Sequence, residues 1–311
     1  MIESEFSTVV QDSRGRMYLA GPYATQIVVF DRDGRFLKTL GRGGHGPGEF
    51  AGIGSMQIGP GDSLFVFDNP ESRLSVFSPE LKFIRSARLA LVPQVNNTVL
   101  PDGRIVIGRS VLTRELAGQP LHLLDRDGGR VRSFGNLSGI LRPDVPGMLD
   151  RTVATSRGRY IWSAHQVEYV IDRIDVETGT ITDVIRRNAS WFPSRMKPQT
   201  RPEDIRAEPA VIDLQEDDAG RLWMLIAVPD KDWRKQLVPP QAGDQHGTVR
   251  DMQRFYDTRI EVLDPAQGRL IASLRIPEYV QQFCGPREIG YVSLDHDVPR
   301  FHRWRLMLSQ R

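Results

Sequence analysis

Along the chain, apolar residues fall in short runs that alternate with polar ones or consist of β-branched pairs, and no long stretch places them at helical spacing. Runs of this kind read as strands. From Thr8 to Leu40 the pattern predicts a short strand, a turn at Ser13-Arg14-Gly15, strand MYLAG, a loop, strand QIVVFD, a turn at Asp33-Gly34 and strand RFLKTL. Both turns carry a glycine between two strand runs, where a tight hairpin needs positive φ, so the segment is a four-stranded antiparallel meander.

The meander recurs. Copies run over Ser55–Leu89, Asn97–Gly135, Arg151–Ile185, Ala210–Ile276 and Arg287–Leu308. The paired turn glycines keep similar spacing at Gly15/Gly34, Gly103/Gly128 and Gly158/Gly179, whereas Gly220/Gly268 is far wider and marks an insertion over 228–257. Units of roughly 40 to 50 residues with four strands each are the signature of a radial β architecture. The expected fold is an all-β, six-bladed β-propeller of four-stranded antiparallel blades. It is a single domain over 1–311, with blades at about 8–50, 55–90, 97–136, 151–192, 210–279 and 281–311. Thirteen strand residues from Val10 to Val262, among them Ile27, Phe65, Ile105, Ile161, Met224 and Ile260, are expected to be buried between blades.

The last copy is expected to be incomplete, because the chain stops soon after its third strand, RFHRWRLML. At the other end Glu5-Phe6 aligns with Glu49-Phe50, the tail of the connector after the first blade. Two readings follow: residues upstream of Met1 carry the missing strand and an export leader, or the last blade is complete with three strands.

The recurring D-x-x-G-R, the strand QIVVFDRDG and the connector GRGGHGPGEF resemble NHL-type six-bladed propellers of bacteria over nearly the whole chain, most closely over residues 8–90. The Trp-Asp dipeptide of WD40 blades is missing, and neither the Gly-His of WD40 nor the paired glycines of kelch recur from copy to copy. The resemblance implies the fold and a range of roles, since that family includes scaffolds, sensors, binding modules and a few enzymes. Many such propellers are exported, which implies a periplasmic or cell-envelope location.

Charge changes the functional picture little. Lys plus Arg is 41 and Asp plus Glu 39, for a net +2 spread evenly, so no basic face is available to hold nucleic acid. Cys284 is the only cysteine, which excludes an intrachain disulfide and reads as a buried apolar filler. No window reaches the roughly 18 apolar residues of a membrane helix.

Gly41-Arg42-Gly43-Gly44-His45-Gly46 matches G-x-G-x-x-G in letters only, because Pro47-Gly48-Glu49-Phe50 forbids the helix that a dinucleotide site needs. The segment is expected to be a tight connector braced by Glu49. Neither G-x-S-x-G nor H-E-x-x-H occurs. Loops between second and third strands share one face with the connectors, around the mouth of the central channel. The candidate ligand-binding residues there are Arg42, His45, Glu71, Arg114, His165, Asp230, Trp233 and His296. The innermost strands offer Gln11, Asp12, Gln57, Asn97, Asp213 and Glu216 to the channel. They repeat neither the carboxylate and Asn set of gluconolactonase-like relatives nor the three histidines of the amidating lyases.

The insertion is expected to form short helices at DKDWRKQL and VRDMQRFYD and to act as a lid, while Trp191 and Phe192 are expected on an outer blade surface. The expected function is a non-enzymatic binding propeller for a small polar ligand, peptide or protein partner, with no cofactor and no nucleic acid. The alternative is a lactonase-like hydrolase or lyase using a divalent cation such as calcium at the channel mouth.

Overall fold

The structure, a computed structural model, describes residues 8–21, 23–93, 97–111, 113–136, 150–166, 168–192, 206–238, 248–295 and 298–309. The first blade contains β1 (Thr8–Gln11), β2 (Met17–Ala20), β3 (Ile27–Phe30) and β4 (Phe36–Leu40), and the second contains β5 (Ile53–Ile58), β6 (Leu64–Asp68), β7 (Arg73–Phe77) and β8 (Phe83–Arg88). In the third are β9 (Asn97–Val99), β10 (Ile105–Gly108), β11 (Leu121–Leu124) and β12 (Arg130–Phe134); in the fourth, β13 (Arg151–Thr155), β14 (Tyr160–His165), β15 (Val170–Asp175) and β16 (Ile181–Arg186). The fifth has β17 (Ala210–Glu216), β18 (Leu222–Pro229), β21 (Tyr256–Asp264) and β22 (Arg269–Ile276), interrupted by a small hairpin of β19 (Leu237–Val238) and β20 (Thr248–Val249). The sixth has three strands among the described residues, β23 (Phe283–Gly285), β24 (Glu288–Asp295) and β25 (Val298–Arg305). Among the described residues, helical structure is limited to 3₁₀ turns at Pro60–Asp62, Trp233–Gln236 and Met252–Arg254. The two turns in the insertion stand where short helices are expected.

The D-x-x-G-R motif has a local cause. Asp12 Oδ1 accepts the backbone N–H of Arg14 (3.0 Å) and of Arg16 (2.9 Å), Gly15 supplies the left-handed φ of 81°, and Arg16 Nε returns to Asp12 Oδ2 at 2.6 Å. Asp217, Gly220 and Arg221 repeat the arrangement in the fifth blade. An aromatic donor completes each copy: Tyr18 O–H reaches Asp12 Oδ2 at 2.9 Å and Trp223 Nε1–H reaches Asp217 Oδ2 at 2.9 Å. These turns lie between first and second strands, at the end of the propeller opposite the connectors. The most legible motif of the sequence is therefore structural and faces away from the channel mouth.

Innermost strands β1, β5, β9, β13, β17 and β23 follow one another around the axis, and β23 closes on β1. Apolar side chains form six buried clusters, one at each junction between neighbouring blades. Each blade is thus covered on both faces, as stacked sheets require. All thirteen residues expected between blades, from Val10 to Val262, are buried. Cys284 fills the junction between the sixth and first blades beside Val9, Met17 and Leu19, as its reading as a filler anticipates. Trp191 and Phe192 depart from expectation. Phe192 is 2% exposed, and both rings pack on Tyr169 at the junction of blades four and five instead of on an outer surface.

Close approach decides one glycine. A Cβ on Gly108, at the end of β10, would overlap the backbone carbonyl oxygen of Arg151 on β13, and no rotamer change can relieve a backbone clash. Gly108→Ala is expected to cost about 2 kcal/mol in urea denaturation by forcing blades three and four apart. An unchanged midpoint would refute that packing.

Candidate functional site

The central channel holds a cavity of about 410 Å³. All six blades line it, through Gln11, Gln57, Asn97, the segment Thr152–Thr155, the segment Ile212–Glu216 and the segment Phe283–Gly285, with Gln166 and the connector residues Tyr279, Gln281 and Gln282 near the mouth. Neighbouring innermost strands belong to different sheets, so side chains tie them together. Gln57 Nε2 donates to Asn97 O (3.2 Å), Thr152 Oγ1 to Val211 O (2.9 Å), Gln215 Nε2 to Gly285 O (3.5 Å) and Gln282 Nε2 to Val9 O (2.5 Å). Much of the polarity of these strands is consumed in stapling the ring.

Among the described lining residues two side chains are charged, and both are acidic. Glu216 lies at the far end of β17, where Trp162 Nε1–H (2.6 Å) and Ser156 O–H (2.5 Å) donate to Oε2 and Arg157 stands 3.5 Å from Oε1. Asp213 sits mid-strand beside a bulge between Val211 and Asp213. Its Oδ1 accepts Leu214 N–H at 2.8 Å and its Oδ2 accepts Phe283 N–H at 2.7 Å, while no basic side chain among the described residues pairs with it. Burial in the ring pushes its carboxyl up to about 7, against the pull of the two backbone N–H groups. Asn97 is buried, donates from Nδ2 to Ser55 Oγ at 2.9 Å, and keeps an Oδ1 that no described protein donor reaches. Asp12 faces away from the cavity, held in its own turn by Arg16 and Tyr18.

The sequence candidates occupy the mouth-face loops in separate groups. Arg42, His45 and Glu71 come together at the connector between blades one and two. Arg42 Nε donates to Glu49 Oε1 at 2.7 Å, and His45 Nδ1 lies 3.0 Å from Glu71 Oε1. Glu49 braces the connector as expected: its Oε2 accepts Gly46 N–H at 2.9 Å, and Arg73 fastens the same loop through the carbonyls of His45 and Glu49. His165 lies apart, buried within blade four. Its Nε2 is 3.2 Å from Asp172 Oδ2, which also meets Arg151 at 3.1 Å, and burial lowers its pKa so that it is neutral at pH 7. Arg114 is exposed on the loop between β10 and β11. Asp230 and Trp233 stand at the root of the insertion. Asp230 Oδ1 accepts Asp232 N–H at 2.6 Å, and the Trp233 ring meets Phe255 edge-on at 5.8 Å. His296 lies outside the described residues.

None of the seven described candidates lines the cavity; Gln11, Gln57, Asn97, Asp213 and Glu216 of the innermost strands do. Gln166, Gln215, Tyr279, Gln281 and Gln282 are lining residues that sequence reading does not single out. The signal for the last three was the run YVQQFCG ahead of the sixth copy, but β23 has only three residues and shows no alternation. The insertion reaches the cavity indirectly. Gln253 Nε2 donates to Tyr279 O (2.9 Å), Tyr279 N–H donates to Gln253 Oε1 (3.1 Å), and the Tyr256 and Tyr279 rings lie 5.5 Å apart. Among the described residues no group of three or more His, Cys, Asp or Glu side chains converges as metal ligands.

Comparison with known proteins matches the fold. A family described as 6-bladed beta-propeller matches residues 4–105. No curated protein matches the chain by sequence. Among solved structures, a member of the DUF4221 family from Bacteroides vulgatus is 11% identical, with 98% of this chain and 95% of that one covered at a TM-score of 0.59. A Bacteroides fragilis protein is 10% identical over 94% of this chain and 81% of that one, at 0.57. Virginiamycin B lyase from Staphylococcus aureus is 13% identical over 92% of this chain and 91% of that one, at 0.51. At such identities the likeness is one of fold alone. Sequence repeat, blade topology and structural neighbours agree that this chain is a six-bladed β-propeller.

Proposed function

We propose that the protein is a non-enzymatic binding propeller of the bacterial cell envelope that takes a small polar ligand, or the end of a peptide, into the mouth of its central channel. The observation that carries this is the cavity of about 410 Å³, lined by all six blades and rich in amide and hydroxyl groups around one unpaired carboxyl. A concave, partly desolvated site lets a few directed polar groups hold a ligand more strongly than the same groups on a flat surface. Arg42, His45, Glu71, Arg114, Asp230 and Trp233 form an outer ring of exposed or half-buried groups past which a ligand approaches. His165 and His296 complete that proposed set, His165 through the buried network behind Gln166. The envelope location rests on the resemblance of the repeat to exported bacterial propellers.

A second reading, a hydrolase or lyase, is favoured by one observation: Asp213, with its carboxyl near 7, is poised for general acid or base work. The other reactive group, Cys284, is pushed up to about 12 by burial and stays a thiol. Metal analysis of the purified protein with a lactone and ester panel separates the two, and turnover above buffer would displace the binding reading. Gln281→Trp places an indole at the cavity mouth from an exposed connector position. It is expected to abolish capture of channel ligands in a calorimetric screen while leaving the thermal midpoint within about 2 °C. Ligands that bind the variant as well as the parent would place the site elsewhere.

A further inference from the structure

The cavity has a one-sided chemistry that identifies the class of ligand it suits; the argument rests on the channel-binding reading above and narrows it. Of the described lining side chains, only Asp213 and Glu216 are charged, and Glu216 is already engaged by Trp162, Ser156 and Arg157. Asp213 is held rigidly by one backbone N–H on each oxygen, with no cation beside it among the described residues. One lone pair on each oxygen is left to face the cavity. The Asp213 carboxylate is therefore an anionic acceptor at the wall of a cavity with no basic side chain among its described lining residues.

We propose that the channel binds the ammonium group of a small ligand, with the carboxylate of Asp213 at the cavity wall neutralising its charge. An ammonium offers three donors and no acceptor, the complement of this lining. A hard divalent cation suits the site less well, because it needs six or more oxygen ligands, and no convergent group of three carboxyl, imidazole or thiol side chains exists among the described residues. The two sources of such a group are a free amine and a peptide N-terminus.

Butane-1,4-diamine and triglycine amide represent these sources, with butane-1,4-diol and acetyl-triglycine amide as neutral counterparts of matched shape. Ligand-observed NMR and calorimetry on the full chain at pH 7.5 should show at least one ammonium member binding tenfold or more tightly than its neutral counterpart. Binding by the diamine alone assigns a free amine, and binding by triglycine amide alone assigns a peptide N-terminus. Asp213→Asn should reduce that affinity at least tenfold, with the variant folded by circular dichroism. Neutral members that bind as tightly as the ammonium ones, and are blocked by Gln281→Trp, would overturn the ammonium assignment and leave the channel reading standing. Undiminished binding to Asp213→Asn overturns it too, as does capture of calcium, lost in Asp213→Asn, without capture of either amine. Silence from all four probes overturns the assignment, while the broader screen against Gln281→Trp still judges the channel itself.

Discussion

Alanine at Asp172 is expected to lower stability by about 3–5 kcal/mol, the largest single loss in the molecule outside its apolar core. The reason lies in what it leaves behind. Arg151 opens the innermost strand of blade four with its side chain 4% exposed, and Asp172 on β15, with its side chain 6% exposed, stands 3.1 Å from it. Burial by itself pushes the Asp172 carboxyl up, but the hydrogen bond from His165 and the Arg151 guanidinium outweigh it and hold the group below the ordinary carboxylate range. Without Asp172 the buried guanidinium keeps, among the described residues, one hydrogen bond, to Asn136 O at 2.6 Å, with the Glu168 charge nearby. The Asp172→Ala, Arg151→Met double variant, which removes both charges and restores apolar volume, should recover most of the loss. Urea denaturation of the two single variants and the double variant reads the coupling directly. Additive losses would mean that the pair is not energetically coupled.

Asp213→Asn is expected to do the opposite and stabilise the protein at alkaline pH. The Asp213 carboxyl rises from its ordinary 3.8 to about 7 because its half-buried place in the ring of blades desolvates the charged form. Between those two values the folded chain binds more protons than the unfolded one, so the contribution of this group to stability falls as pH rises and levels off above about 7. Three pH units at about 1.4 kcal/mol each give roughly 4 kcal/mol, which channel water and the acceptor lost to Phe283 N–H reduce to a net gain of about 2–3 kcal/mol for the asparagine variant at pH 8. At pH 4 the parent carboxyl is protonated in the fold and the two proteins should be nearly equal. Unfolding free energies at pH 4 and pH 8 test this, and a gap independent of pH would show that Asp213 titrates normally. Gain of stability together with loss of amine capture would be the mark of a residue kept for binding at the expense of the fold.

Legibility differed sharply between fold and site. The meander Thr8–Leu40 could be read because each strand alternates and each turn carries Asp or Ser ahead of a glycine, and these are local rules that a linear pattern expresses. The same locality explains why Glu49 could be read as a brace: its partners Arg42 and Gly46 lie within the same connector. Trp191 and Phe192 were misplaced because an aromatic pair in a connector fits an outer face or a blade junction equally well until Tyr169 is known to stand beside it. At the mouth, polar loops from different blades share a face without sharing a pocket. His45 and Glu71 meet, while His165 turns into its own blade to satisfy Asp172.

The sequence by itself determined the number of blades, the order of strands within each, the residues buried between them and the absence of a dinucleotide loop, since all of these follow from periodicity and turn chemistry over a few residues. Only the tertiary structure decided which polar groups of the innermost strands are spent and which are free. Gln57, Gln215 and Gln282 look no different in sequence from Asp213, yet their amides only tie strand to strand, whereas the Asp213 carboxyl accepts Phe283 N–H from the sixth blade and also lines the cavity with no basic side chain beside it among the described residues. The physical reason is that a donor is consumed or left over only by its neighbours in space. In a propeller those neighbours come from other blades, as far apart in sequence as Val9 and Gln282.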